Sequence, residues 1–220
     1  ALRFDLSGIG DSEPRRGTAS FQESSSAEVT EVMDYLQQKK GINRFIVYGL
    51  CSGADASYEI ARTDKRIIGM IQIDSYCYPT MKSLIRHYTP KLLKFDVWTR
   101  FLAKLFSRPK KEQVSGDDLS EETPSYIRIF PSRKDIAQGL QNICDKNIYI
   151  YNIFTNDALD KFNYRAQYED SFSDVNFDGK LKVDFYPELD HIITSPDHQK
   201  RIPKDICDWV KMVSEKRALT

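Results

Sequence analysis

Short apolar runs separated by longer amphipathic stretches set the plan of this chain. Phe45 to Tyr48, Arg66 to Asp74, Asn147 to Phe154 and Leu181 to Tyr186 are rich in β-branched and aromatic residues and have the length of strands. A run that stays apolar instead of alternating predicts a strand covered on both faces, as in a parallel sheet. Helical patterns lie between the runs. Ser26 to Lys40 places Val29, Val32, Met33 and Leu36 on one face, with Ser26 as N-cap and Gly41 as the stop. Ala54 to Arg62, Ser132 to Lys146 and Asn163 to Phe172 also read as helical. Ser195 caps a last helix to about Glu215, with Pro196 at its first position and Ile202, Ile206, Trp209, Val210 and Val213 on its apolar face. Strand, helix and strand with short connections make a βαβ unit. Ala1 to Leu6 reads as the end of a further strand. Ser7 to Ser12 reads as a tight glycine turn, since no Gly-Lys-Ser/Thr follows to make a phosphate cradle.

The pattern changes between Ser75 and Phe130. Lys82 to Lys111 mixes lysines and arginines with Leu92, Leu93, Phe95, Trp98, Phe101, Leu102, Leu105 and Phe106 at helical spacing. Such a stretch suits either a membrane-surface helix or a helical cap over a cleft. The cap is preferred, because the stretch interrupts a βαβ series. Gln113 to Thr123 is acidic and polar and reads as a loop. The expected organisation is a core over 1–74, a helical cap over 75–130 and a return to the core over 131–220.

Composition narrows the function classes. Lysine plus arginine numbers 32, as does aspartate plus glutamate, so no net field points to nucleic acid. The four cysteines, Cys51, Cys77, Cys144 and Cys207, have no CxxC spacing, which fits neither a zinc site nor a disulfide framework and favours a cytoplasmic setting. No apolar run reaches the length of a membrane span.

The chemistry centres on Gly49-Leu50-Cys51-Ser52-Gly53, between the Phe45–Tyr48 run and a helix. Gly-x-nucleophile-x-Gly in a strand–turn–helix setting is the nucleophile elbow, here with cysteine in the middle. Glycines two positions either side are expected to avoid a Cβ collision in the turn. The start of the following helix favours a thiolate. Asp157 follows a later strand and His191 the last one. The carboxyl ends of parallel strands share one edge of a sheet, so the three can meet there. The histidine takes the thiol proton and a buried carboxylate fixes its tautomer. Asp157 is the preferred acid, and Asp160 is the alternative. The Ser52 N–H is an expected oxyanion donor. His87 lies in the cap region, and His198, early in the last helix, is expected to face solvent.

These motifs resemble the α/β-hydrolases. Asp5, Gly8, Gly10 and Ser12 match that family's Asp-x-x-Gly-x-Gly-x-Ser segment, Gly49 to Gly53 its elbow and Leu189-Asp190-His191 its histidine loop. Within the superfamily, Gly-Leu-Cys-x-Gly-Ala with a late Asp-His is similar to the exosortase-associated hydrolases, and more distantly to the cysteine-using dienelactone hydrolases. The resemblance implies a mostly parallel sheet with helices on both faces and a helical cap insertion. It also implies that the first three strands of the family sheet are absent here, leaving Leu2–Leu6 and Phe45–Tyr48 without the strand between them. Those strands are expected from the same protein or a second chain. The implied activity is hydrolysis of a small-molecule ester, thioester or lactone through an acyl-enzyme, with no metal or cofactor. A catalytically silent binding scaffold and an acyltransferase are the alternatives.

Overall fold

The computed structural model describes residues 1–13, 21–92, 130–156 and 162–218. Among these residues four strands, β1 (Phe45–Leu50), β2 (Ile67–Ile73), β3 (Tyr149–Phe154) and β4 (Leu181–Phe185), form one sheet. They pair in the order β1-β2-β3-β4, every pair parallel. Among the described residues, six helices accompany them: α1 (Phe21–Lys40), α2 (Ser52–Thr63), α3 (Met81–Leu92), α4 (Arg133–Asp145), α5 (Gln167–Ser171) and α6 (Pro196–Ala218). Among the described residues, no helix is long and apolar enough to cross a membrane.

The unbroken apolar runs have the cause expected of them, because both faces of the sheet are covered. Every residue of β2 is buried. On one face Ile67, Met70 and Ile150 pack with Tyr58 and Ile60 of α2, Leu140 and Ile143 of α4, and Tyr168 of α5. On the other, Ile68, Ile71, Tyr151 and Ile153 pack with Ile202, Trp209 and Val213 of α6. A bulge sorts the two sets. Phe45 pairs with Ile67 but Ile46 pairs with Gly69, so Ile68 is the extra residue and the alternation along β2 shifts there. Gly69 thereby lies under the Trp209 indole, where an added Cβ would stand 2.9 Å from Cη2.

Several ends differ from the sequence reading. Residues 1–6 form no strand, and Leu2 and Phe4 are exposed. A strand needs a ladder partner, and none pairs with β1 on its outer side among the described residues. The next stretch is the expected turn: Ile9 N–H donates to Leu6 O at 2.9 Å and Ser12 N–H to Ile9 O at 3.1 Å. Helix α1 begins at Phe21, so Ser26 lies inside it and is no cap. Its end is as expected, with Gly41 at φ 68° donating to Gln37 O at 3.0 Å. The 163–172 stretch is helical only over Gln167–Ser171. Most of the expected cap, 93–129, lies outside the described residues.

Candidate active site

The sheet brings the chemistry to one rim. Its hydrogen bonding runs one residue past β1, β2 and β4: Cys51 N–H reaches Ile73 O at 3.0 Å, Asp74 N–H reaches Ile153 O at 2.9 Å, and Tyr186 N–H reaches Phe154 O at 2.9 Å. Asn156 N–H then reaches Leu189 O at 2.8 Å, which ties the end of β3 to the histidine loop. Cys51, Asp74, Thr155 and the 187–195 loop therefore stand side by side at the carboxyl ends of β1 to β4.

Cys51 sits in a backbone conformation that L-residues rarely adopt, φ 54° and ψ −112°. Such strain costs on the order of 1–3 kcal/mol and persists only where the surroundings enforce it. Its carbonyl accepts the first bonds of α2, from Ala54 N–H at 3.0 Å and Asp55 N–H at 3.2 Å, while its side chain makes no capping bond. Cys51 as a residue is half-buried. From β2, Gln72 Nε2 donates to Ala54 O at 2.6 Å and pins the first turn of α2 against the sheet. Gly49 is required by space, since an added Cβ would lie 1.9 Å from Gly53 O. Gly53 is not, for nothing stands within 4 Å of its missing Cβ. The two glycines of the motif thus differ, because Gly53 points outward from the start of a helix while Gly49 faces the backbone that turns over it.

The histidine is held by a residue that the sequence reading passed over. His191 Nδ1 lies 2.6 Å from Asp74 Oδ2. Asp74 is 5% exposed, so its carboxylate depends on internal donors. It receives Thr155 N–H on Oδ1 at 2.8 Å and the Thr155 hydroxyl on Oδ2 at 2.7 Å. Its own φ is 51°, a left-handed turn that aspartate tolerates better than most residues. An ionised carboxylate only accepts, so the proton of a neutral His191 sits on Nδ1 and leaves Nε2 as the basic nitrogen. Asp157 and Asp160 lie outside the described residues.

The loop around His191 is fixed by its neighbours. Asp190 accepts from Thr194 N–H at 2.8 Å and from the Thr194 hydroxyl at 2.6 Å, and these donors hold its carboxyl below the usual carboxylate range. Gln199 Nε2 donates to Ile193 O at 2.9 Å. His198 does not simply face solvent: Nδ1 lies 3.1 Å from Ser195 Oγ, Nε2 lies 3.4 Å from Glu188 Oε1, and the ring meets Tyr186 edge-on. Ser52 occupies the first position of α2, where amides have no acceptor within the helix. Among the described residues, no group of three or more His, Cys, Asp or Glu side chains is placed to hold a metal ion.

A sequential parallel sheet with helices on both faces and a strained Gly-x-Cys-x-Gly turn after β1 decides the architecture. The fold is α/β-hydrolase-like. The chain is similar to a solved carboxylesterase structure from the ammonia-oxidizing thaumarchaeon Nitrososphaera gargenis, with TM-score 0.43 and 12% identity over 90% of this chain and 74% of that one. It is similar also to the structure of VinJ, with TM-score 0.47 and 10% identity over 87% of this chain and 73% of that one. Likeness of this degree carries nothing about activity. No protein-family model matches the chain, and no curated protein matches it.

Proposed function

We propose that the chain is a hydrolase of carboxylic esters or thioesters that works through a covalent acyl-enzyme on Cys51. The observation that carries this reading is the 2.6 Å bond between His191 Nδ1 and the buried Asp74 carboxylate, on the same rim as the strained Cys51 turn. In this reading Nε2 of His191 takes the thiol proton, and the thiolate attacks the substrate carbonyl carbon. The oxyanion that forms is met by the Ser52 N–H. Collapse of the intermediate breaks the bond to the leaving alcohol or thiol, which takes the proton from the imidazolium. Water, deprotonated by His191, then attacks the acyl-enzyme, releasing the carboxylic acid and restoring the thiol. Asp74 fills the orienting role for which Asp157 or Asp160 was expected.

Turnover of a model ester such as p-nitrophenyl acetate tests this. Cys51→Ala is expected to lower the rate about 10⁴-fold or more, by analogy with nucleophile knockouts. Iodoacetamide is expected to label Cys51 faster than the exposed Cys207 and well ahead of the buried Cys77 and Cys144. Burial also pushes the Cys144 thiol up to about 11. A Cys51→Ala variant with the parent rate, or labelling of Cys51 no faster than Cys207, contradicts the reading and favours a binding scaffold.

A further inference from the structure

We infer that Thr155 is a positioning residue whose hydroxyl locks the Asp74 carboxylate in the orientation that receives His191. The inference rests on the proposed reading of the rim as a Cys–His–Asp site. Thr155 is the first residue past β3 and is fully buried. It donates to both carboxylate oxygens of Asp74, through its backbone N–H to Oδ1 at 2.8 Å and through its hydroxyl to Oδ2 at 2.7 Å. Oδ2 is also the atom that meets His191 Nδ1 at 2.6 Å. The hydroxyl and the imidazole therefore share one oxygen, and the backbone amide holds the other.

A carboxylate turns easily about its last side-chain bond, where the torsional preference is broad. Two donors from one rigid residue remove that freedom. Any rotation that carries Oδ2 away from His191 breaks both Thr155 bonds at once. Threonine suits the task because branching at Cβ stiffens its first torsion, so the hydroxyl is set before the carboxylate arrives. The backbone bond is kept by any residue at 155 other than proline, so the hydroxyl bond is the part that the side chain adds. Chain topology makes the arrangement direct. Asp74 N–H is bonded to Ile153 O, which places the Asp74 side chain beside the residue that follows β3.

The test compares Thr155→Val, which keeps shape and loses the hydroxyl, with Thr155→Ser, which keeps the hydroxyl. Two properties are read: kcat and KM on p-nitrophenyl acetate, and the low-field proton resonance of the His191 Nδ1–H, assigned by its loss in His191→Gln. Thr155→Val is expected to lower kcat about ten- to a hundredfold with KM within about twofold, as the loss of a hydrogen bond to a charged group implies. It is expected to move the His191 resonance upfield or broaden it. Thr155→Ser is expected to keep kcat within about threefold and the resonance in place. A Thr155→Val protein with parental kcat and an unmoved resonance overturns the inference, as does Thr155→Ser damaged as badly as Thr155→Val. If Thr155→Val does not fold, Thr155→Ala is read by the same criteria. The resonance keeps the two readings apart. A parent protein that turns over no ester defeats the proposed function, while the response of the His191 proton to Thr155→Val still decides the role of Thr155.

Discussion

Replacing Asp74 by asparagine is the sharpest single perturbation of the site, because the change is isosteric and the donors around it are known. Three donors converge on the carboxylate: Thr155 N–H, the Thr155 hydroxyl and His191 Nδ1–H. An amide has one accepting end and one donating end. With its oxygen at the Oδ1 position it satisfies Thr155 N–H, but its NH₂ then faces His191 Nδ1. The imidazole must shift its proton to Nε2, and the basic nitrogen is lost. Turned the other way, the NH₂ meets Thr155 N–H at a donor–donor distance of 2.8 Å. That orientation keeps the tautomer but strands a buried amide, at a cost of about 1–3 kcal/mol. The first arrangement is the cheaper in stability and the worse for chemistry. In a serine enzyme the wrong tautomer lowers kcat by about 10⁴. A thiol gives up its proton more readily than a hydroxyl, so the expectation here is a fall of about 10²- to 10⁴-fold in kcat/KM. The assay is ester turnover beside a thermal melt that confirms folding. A folded Asp74→Asn protein within about threefold of the parent refutes the assignment, most clearly if Asp157→Asn abolishes turnover.

The remaining predictions follow from separate parts of the structure. Gly49→Ala is expected to destabilise by about 1–3 kcal/mol or more, through the collision with Gly53 O, whereas Gly53→Ala, open on its Cβ side, is expected to be neutral or stabilising by up to about 1 kcal/mol in a helix; urea titration separates them. Arg66 grips Asp64 with Nε at 3.0 Å from Oδ1 and Nη2 at 2.7 Å from Oδ2, and this hydrogen bonding holds the Asp64 carboxyl below its ordinary value. A carboxyl lowered in the folded state contributes stability above its unfolded pKa of about 3.9 and loses it as pH falls through the folded value. Asp64→Asn is therefore expected to cost about 1 kcal/mol at neutral pH, with the gap to the parent closing in acid melts as pH falls below the unfolded value of about 3.9.

The strands were legible because a parallel sheet covered on both faces demands continuous apolar runs, and β1 to β4 each coincide with one. The elbow was legible for a local reason: Gly49 has no room for a side chain, and the turn it permits leads directly into α2. The start of α6 was readable from residue type alone, with Pro196 at its first position, whereas the N-cap of α4, where Ser132 Oγ accepts from Asp135 N–H, emerges from the structure. What escaped depended on distant contacts. Residues 1–6 have strand composition, yet composition supplies no ladder partner. Asp74 looked like the last residue of β2, and only the register that sets β2 beside β3 gives it Thr155 and His191. His198 looked like a solvent-facing helix residue, and only the return of the 187–195 loop encloses it.

The central claim is that the Cys51 sulfur, served by the His191–Asp74 pair, carries the acyl group. Mass spectrometry of peptides from an acid-quenched reaction with p-nitrophenyl acetate tests it most directly. The predicted result is an acetyl group on the Cys51 peptide that builds up in the parent protein and fails to form in His191→Ala. Acetylation spread over surface lysines, with the Cys51 peptide unmodified while ester is being turned over, would contradict it.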